Sequence, residues 1–231
     1  MASKMTEQLE AHPLRKELIH HPFFKEVRNS DLTRDKVGVF LGQWWHPLHY
    51  FPNFLSRTID AVPVLEMKTA ICKILNQELG EGDPARAHEQ LYISTMVDAG
   101  FDRATVAEAA PFEETRHLVQ RYREASGERL SALGFVYGTE VADLAMVGGL
   151  GQAVTRVSGM TKLPWVDIHI QQEPEHVEQA TEALDANFTV DEVKSIVASA
   201  EEMWRLWIAF FDRLRTELFA EREAPVAAAV A

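Results

Sequence analysis

Apolar residues recur at helical spacing along almost the whole chain, and the strict alternation typical of a half-buried β-strand is nearly absent. Residues that cap or end helices stand at the ends of these periodic segments. Thr33, Asp83 and the pair Thr189 and Glu192 are signals for helix starts, and Gly80 is a signal for a helix end. The pattern therefore predicts a short helix over 6–19 and main helices over 34–61, 64–79, 84–99, 112–126, 129–158, 164–184 and 189–222.

The chain has no internal repeat, linker or shift in composition. We therefore expect a single helical domain over 1–231, an all-α bundle of about seven main helices. From about residue 222 onward the side chains have too little apolar surface to bury, so the sequence predicts a disordered tail over 222–231.

The 231 residues include 35 Asp and Glu against 23 Lys and Arg, a formal net charge of -12. Such an acidic surface repels phosphates and anionic lipid heads, so we expect neither nucleic acid nor a membrane as partner. Cys72 is the single cysteine, which rules out an internal disulfide and a cysteine zinc site. No apolar run approaches the roughly 18 residues of a membrane span, and no apolar export segment opens the chain. These features predict a soluble cytoplasmic protein.

Several ionisable residues stand inside apolar stripes. Glu78 continues the stripe of its helix, Glu140 lies at the centre of another, and His88 shares a face with Leu91 and Tyr92. A buried carboxylate without a partner costs several kcal/mol, so each such residue needs an ion pair or a metal. Taken singly, a histidine in such a position is more often a hydrogen-bonded core residue, and such a glutamate usually pairs with an arginine.

Three more residues of this kind share one helix face. His169, Glu173 and His176 are spaced i, i+4 and i+7, which places them within roughly 60° of one another around the helix axis. Without a cation, burial of these side chains on one face would cost desolvation free energy and bring them into electrostatic repulsion. Together, three Glu and three His on four helices match the needs of a carboxylate-bridged pair of irons.

Three early segments resemble the first helices of the haem-oxygenase-like superfamily, which includes thiaminase-II-like and pyrroloquinoline-quinone-synthase-C-like proteins. They are His-Pro-Phe-Phe at 21–24, Leu-Thr-Arg-Asp-Lys at 32–36, and Gln-Trp-Trp-His-Pro-Leu-His-Tyr-Phe-Pro at 43–52. The likeness covers roughly residues 20–215. The set Glu78, His88, Glu140 and His169-x-x-x-Glu173-x-x-His176 resembles the metal-binding set of the diiron oxidases and oxygenases of this superfamily. That branch usually has Asp where Glu173 stands, so this carboxylate reaches one methylene further.

The resemblance implies a non-haem, iron-dependent oxidoreductase with a haem-oxygenase-like fold. Two ferrous ions, as an iron pair or an iron–manganese pair, would be held by Glu78, His88, Glu140, His169, Glu173 and His176. The enzyme would activate O2 to oxidise a small organic substrate, amino-acid-like or fatty-acid-like. The outcomes known in the family are C–H abstraction with fragmentation, desaturation, and N-oxygenation. The resemblance also implies biosynthetic use, an external reductant and a homodimer.

Two differences between this chain and known family members reduce the number of reactions that we expect. Members that form para-aminobenzoate use tyrosines where this chain has Phe24 and Thr139, so we do not expect that reaction. N-oxygenating members add a carboxylate on the long early helix. Here its only acids, Asp35 and Asp60, lie near the ends, and only His46 and His49 could reach inward from its middle. Hydrogen bonding beside Pro47 and Pro52 is the alternative role for these two histidines.

Aromatic side chains in these helices are candidate walls of a substrate pocket, although core packing is the more common role for most such residues: Trp44, Trp45, Phe51, Tyr137 and Trp165. Two rival functions stay open. One is a metal-free thiaminase-II-like hydrolase or ligand-binding protein on the same fold, and the other is a non-catalytic metal-binding protein. Cys72 has no nearby base, and the glycines of 148–151 lie in a helical pattern, so we expect neither a catalytic thiol nor a phosphate loop there.

Overall fold

The computed structural model describes residues 2–219, and this range contains eleven α-helices, one 3₁₀ helix and no β-strand. The α-helices are α1 Ala2–Glu10, α2 Pro13–Ile19, α3 Pro22–Asn29, α4 Arg34–Ala61, α5 Leu65–Glu78, α6 His88–Asp98, α7 Arg103–Ala107, α8 Glu113–Ala125, α9 Arg129–Ser158, α10 Pro164–Ala183 and α11 Val190–Phe219.

The predicted all-α class is confirmed. Within the described range, seven helices have eleven residues or more, namely α4, α5, α6, α8, α9, α10 and α11. They correspond to the seven main helices expected from the sequence. The predicted tail over 222–231 lies outside the described residues.

Three local predictions were wrong. The helix predicted over 6–19 is broken, because the ring of His12 caps a new helix whose first residue is Pro13. Asp83 caps a separate 3₁₀ helix, Pro84–Arg86, rather than the start of α6. The short helices α3 and α7 were missed, since one or two turns carry too little periodicity to be seen.

The predicted helix caps are present at two long helices. The hydroxyl of Thr33 accepts a hydrogen bond from the backbone N–H of Lys36 and so starts α4. Thr189 and Glu192 form a reciprocal capping box before α11. The Thr189 N–H donates to Glu192 Oε2 at 2.8 Å, and the Glu192 N–H donates to Thr189 Oγ1 at 3.3 Å. Both helices therefore begin where the sequence predicts.

Helix α9 lies at the centre of the bundle, with α11, α10 and α4 packed against it, while α10 also packs on α5. By length and composition α9 could cross a membrane, but 72% of its most apolar window is buried inside the fold. This burial is that of a core helix. Glycines allow the close packing: a Cβ at Gly149 would lie 2.4 Å from the ring of Phe24, and one at Gly151 would lie 3.0 Å from Val166. The glycines of 148–151 thus serve helix packing.

Gly134 allows the closest approach of α9 to α11. A Cβ there would lie 2.5 Å from the carbonyl oxygen of Ile196 and 2.6 Å from Cβ of Ser199. A Cβ at Gly148, on the same helix, would meet no atom within 4 Å.

We predict opposite effects of alanine at these two glycines. Gly148→Ala should raise the thermal midpoint by about 2–4 °C, because helix propensity favours alanine by about 1 kcal/mol. Gly134→Ala should lower the midpoint, since overpacking against a backbone costs about 1–3 kcal/mol and outweighs that gain. Thermal unfolding followed by circular dichroism measures both variants. A rise for both would show that α9 and α11 are not in close contact at Gly134.

Candidate metal centre

Four helices bring the six predicted ligand residues together in the bundle core. Glu78 is the last residue of α5, and His88 is the first residue of α6. Glu140 lies in the middle of α9, and α10 contributes the other three. All six are at most 5% exposed: Glu78, His88, Glu140, His169, Glu173 and His176.

The six residues form two groups of three. Glu78, His88 and His169 form the first group, which we call group 1, and in it one ligand atom of each residue lies within 4.8 Å of the others. Group 2 consists of Glu140, Glu173 and His176, with the same spacing. The groups are neighbours, since the ring of His88 lies 4.5 Å from the ring of His169 and 6.4 Å from that of His176.

A tight turn after α5 places His88 beside Glu78. Gly80 has a φ of 82°, a left-handed conformation that favours glycine. A Cβ at Gly80 would lie 2.2 Å from the carbonyl oxygen of Asp83 and 2.6 Å from the backbone nitrogen of Ala87. Only glycine lets the chain fold back closely enough for the start of α6 to face the end of α5.

Hydrogen bonds orient both imidazoles of group 1. His169 Nδ1 lies 2.7 Å from the backbone oxygen of Trp165, so Nδ1 donates and Nε2 keeps its lone pair. His88 Nε2 donates to Gln172 Oε1 at 3.0 Å, and His88 Nδ1 lies 3.0 Å from Glu78 Oε2. Each ring therefore has one nitrogen committed to a fixed acceptor, and the other is available as a ligand.

The electrostatics of group 1 favour an anionic Glu78. Burial alone would raise the pKa of Glu78, but the Coulombic effect of His88, then of His169 and His176, outweighs burial and brings the pKa to about 2. Burial, followed by repulsion from His88, lowers the pKa of His169 to about 3. Burial disfavours a charge on His88 as well, yet Glu78 raises the pKa of His88 above its ordinary value. The site thus holds a carboxylate and a neutral imidazole for a cation.

Group 2 has too few donors for its carboxylates. His176 Nδ1 lies 3.4 Å from Glu140 Oε2, while neither oxygen of Glu173 has a hydrogen-bond donor in the part of the chain that the structure describes. Burial opposes a charge on His176, but the hydrogen bond and the charge of Glu140 raise its pKa to about 9. Burial and repulsion from Asp143 and Glu140 raise the pKa of Glu173 well above its usual range. Among residues 2–219, the carboxylates of group 2 have no cationic partner other than His176.

The residues present fit a pair of metal ions. Among the described residues, buried atoms without a hydrogen-bond partner include Glu140 Oε1, both carboxylate oxygens of Glu173, and His176 Nε2. Each such atom costs about 1–3 kcal/mol when nothing satisfies it. Within residues 2–219, no Lys or Arg forms an ion pair with these carboxylates. Imidazole nitrogens with carboxylate oxygens are a ligand set that suits iron and manganese.

A narrow cavity with about 40 Å³ of free volume adjoins both groups. Its walls are mostly apolar and aromatic: Trp44, Pro47, Leu48, Phe51, Tyr122, Thr139, Trp165 and Trp207, beside Glu78, Glu140, Asp143, His169 and His176. Three of the predicted wall residues therefore line it, Trp44, Phe51 and Trp165. Two do not, since Trp45 stacks on His49, and the hydroxyl of Tyr137 donates to the backbone oxygen of Thr6.

The histidines of α4 take no part in either group. His46 donates from Nε2 to the backbone oxygen of Ala109 at 2.9 Å, and the exposed His49 lies 2.8 Å from Glu89. Hydrogen bonding, the alternative given above, is what the structure has for both. The exposed Cys72 lies outside the cavity, and Glu81 pairs with Arg86 in the turn after α5.

Two residues of the centre were not predicted. Asp143 lies one turn after Glu140 and lines the cavity, and the spacing i, i+3 on α9 is the signal that could have identified it. Burial, followed by repulsion from Glu140, raises the pKa of Asp143 to about 7. Gln172 is buried and fixes the ring of His88. Its amide is neutral, so sequence alone gives little reason to single it out.

We predict that each group holds one ion. His169→Ala should remove the ion of group 1 and His176→Ala that of group 2, so each variant loads one ferrous ion fewer than the parent. The control is His117→Ala, because His117 is exposed and belongs to neither group. Elemental analysis after anaerobic loading and desalting counts the ions. Full loading of both site variants would contradict the assignment.

Metal affinity should rise with pH. Metal-free His88 and His176 hold protons because their pKa values are raised, that of His176 to about 9. A metal ion competes with these protons, so affinity increases as they leave, by about tenfold per pH unit for each proton displaced. Calorimetric titration with Mn²⁺ between about pH 6 and about pH 8 measures this slope. An affinity independent of pH would show that the imidazoles are not ligands.

The structure is similar to solved proteins along nearly its whole length. A CADD-like protein of unknown function from Nostoc punctiforme has 14% identity and a TM-score of 0.77, covering 95% of this chain and 99% of that chain. A domain of unknown function with a heme oxygenase-like fold from Shewanella denitrificans has 20% identity and a TM-score of 0.75, covering 92% of this chain and 91% of that chain. A TenA homolog from Pseudomonas syringae has 14% identity and a TM-score of 0.72, covering 93% of this chain and 95% of that chain. These likenesses establish the haem-oxygenase-like fold.

No curated protein matches the sequence significantly. The family model of iron-containing redox enzymes matches residues 39–208, a span that includes all six predicted ligands. The match covers well over half of the chain and agrees with the resemblance seen in the sequence. The chain belongs to the family of iron-containing redox enzymes.

Proposed function

We propose that this protein is a non-haem diiron oxidase or oxygenase that uses O2 to oxidise a small organic substrate. One observation carries the proposal. Six buried imidazole and carboxylate side chains form two adjacent groups of three, with no Lys or Arg paired to them in the described range, and they open onto an aromatic cavity. The family match to iron-containing redox enzymes supports iron as the metal.

The donor set suits two divalent ions. Glu78, His88 and His169 would hold one, and Glu140, Glu173 and His176 the other. Ferrous ions bound there would supply the electrons that reduce dioxygen and the oxidising power used on the substrate. Iron–iron and iron–manganese pairs both fit these nitrogen and oxygen donors.

The chain's own contribution is to orient ligands and exclude water. Trp165 O and Gln172 Oε1 fix the rings of His169 and His88. Trp44 and Trp207 pack against each other with ring centroids 5.2 Å apart and close one side of the cavity. A dry, aromatic wall strengthens the electrostatic interactions inside and keeps water away from a reactive site.

The cavity walls support an uncharged, apolar substrate segment. Within the described residues, no Lys or Arg lines the cavity, so a substrate carboxylate would find no protein cation there. Trp44 Nε1 and Trp165 Nε1 are buried without an acceptor. Two unpaired indole N–H groups suit a substrate that carries a carbonyl or hydroxyl oxygen near its reacting carbon. An alkyl chain with one oxygen function meets both conditions.

A thiaminase-II-like hydrolase is the alternative to consider, since a TenA homolog shares the fold. A hydrolase of that kind needs a nucleophile in the cavity. Cys72 is exposed and outside it, and the hydroxyl of Thr139 is already engaged with Tyr122 and with the backbone oxygen of Phe135. A non-catalytic metal-binding protein would need the ligands but no adjoining cavity. The lack of a free Cys or Thr nucleophile in the cavity, among the described residues, and the presence of the cavity beside the ligands both favour the oxidoreductase.

The cellular location, the electron donor and the oligomeric state expected from the sequence are also part of this proposal. They are a cytoplasmic location, an external reductant and a homodimer. The acidic surface, with a formal net charge of -12, supports a small molecule rather than nucleic acid as the partner.

Oxygen consumption tests the proposal. Protein loaded anaerobically with ferrous iron should consume O2 faster when a medium-chain fatty alcohol is added, and less so when a medium-chain fatty acid or an apolar amino acid is added, because these carry a carboxylate. Glu173→Asp should keep iron and activity because it keeps the carboxylate. Glu173→Gln should lose both, since an amide cannot neutralise a cation. Glu178→Gln, an exposed change on the same helix α10, is the charge-matched control and should behave as the parent.

An oxygen electrode and elemental analysis of the same samples provide the readout. Iron-loaded protein that consumes O2 no faster than free ferrous iron, with every substrate of the panel, would contradict the proposed activity. Iron content unchanged in Glu173→Gln would contradict the role of Glu173.

A further inference from the structure

Asp143 is a fourth carboxylate at the centre, outside the six-residue set. It lies one turn after Glu140 on α9, is half-buried and lines the cavity. Its carboxyl group lies close to the carboxyl of Glu173, and as two carboxylates they offer each other no hydrogen-bond donor. No Lys or Arg in that range forms an ion pair with it.

Three carboxyl groups therefore converge at group 2, those of Glu140, Asp143 and Glu173. Both oxygens of Glu173 and Oε1 of Glu140 are buried and have no donor, and His176 Nε2 has no acceptor. Repulsion between carboxylates at such short range costs free energy unless a cation or a proton lies between them. Asp143 lies outside the 4.8 Å spacing of group 2 but lines the cavity beside Glu140 and His176, so it would approach an ion of group 2 from the cavity side.

The balance of charge between the carboxylates and two divalent ions also supports a role for Asp143 in metal binding. The six-residue set supplies three carboxylates, Glu78, Glu140 and Glu173, against the four positive charges of two divalent ions. With Asp143 the carboxylates number four, and the centre is neutral when the imidazoles are neutral. A neutral centre costs least in an apolar, water-excluding cavity.

We propose that Asp143 is a seventh metal-binding residue, whose carboxylate binds the ion held by Glu140, Glu173 and His176. This inference rests on the two-metal site of the proposed function. It assigns α9 two metal-binding carboxylates, at i and i+3, and adds a third carboxylate to group 2, which is the more anionic group without it. Group 2 then binds its ion through three carboxylates and one imidazole, and group 1 through one carboxylate and two imidazoles.

Asp143→Asn tests this assignment through metal binding and stability. Anaerobic calorimetric titration with ferrous iron should show that the ion of group 2 binds at least about tenfold more weakly, while the ion of group 1 binds as in the parent. Asp143→Glu should recover most of the lost affinity because it restores the carboxylate. Glu178→Gln, which removes one exposed negative charge from α10, should change neither ion.

Thermal unfolding gives a readout that a purely structural role would not produce. Without metal, Asp143→Asn should melt at a higher temperature than the parent, since it removes repulsion and offers an N–H to Glu173. With two equivalents of iron the order should reverse. A structural hydrogen bond would instead make the variant less stable in both conditions, which would overturn the proposal.

The outcomes separate this inference from the proposed function. If the parent binds two ions and Asp143→Asn matches Glu178→Gln in both affinities, Asp143 is not a ligand, and the two-metal site stands. If the parent itself binds fewer than two ions, the two-metal site fails, and this assignment fails with it.

Discussion

The burial of negative charge without a protein cation is the constraint on which the rest of this structure depends. Glu78, Glu140 and Glu173 are at most 4% exposed, and within residues 2–219 they pair with no Lys or Arg. The desolvation of a carboxylate must be offset by a positive partner. Within residues 2–219 only imidazoles are near, and the pKa values of two of them, His88 and His176, are raised by the carboxylates. Two divalent ions at groups 1 and 2 would satisfy the unpaired atoms in one step.

The long helices and the six buried ligands could be predicted, because both leave a periodic mark in the sequence. A polar residue inside an apolar stripe, such as Glu140 in α9, is visible without coordinates. The division of the six into two groups could not be predicted, since it depends on how four helices cross. Asp143 was missed because its half-buried position is not part of an apolar stripe. Tyr137 and Trp45 were placed in the cavity wrongly, since composition does not say which aromatic face meets which neighbour.

The fold shows which proteins this chain resembles, whereas the metal centre is the basis for its proposed function. A CADD-like protein and a TenA homolog share this architecture at 14% identity, a likeness that establishes the fold alone. The proposed function depends on three features inside the fold. The turn at Gly80 places His88 beside Glu78, α10 presents two histidines and a glutamate on one face, and tryptophans line the cavity. Because the aromatic wall has no cationic side chain in the described range, the same geometry also limits which substrates can enter.

Anomalous diffraction at the iron edge, from crystals loaded anaerobically with ferrous iron, tests the central claim most directly. The account predicts two iron peaks about 3.5–4 Å apart, a typical separation for two-metal sites. One peak should lie among Glu78, His88 and His169, and the other among Glu140, Glu173 and His176. The absence of iron from both groups, or a fully loaded pair with Glu173 turned away from it, would contradict the account.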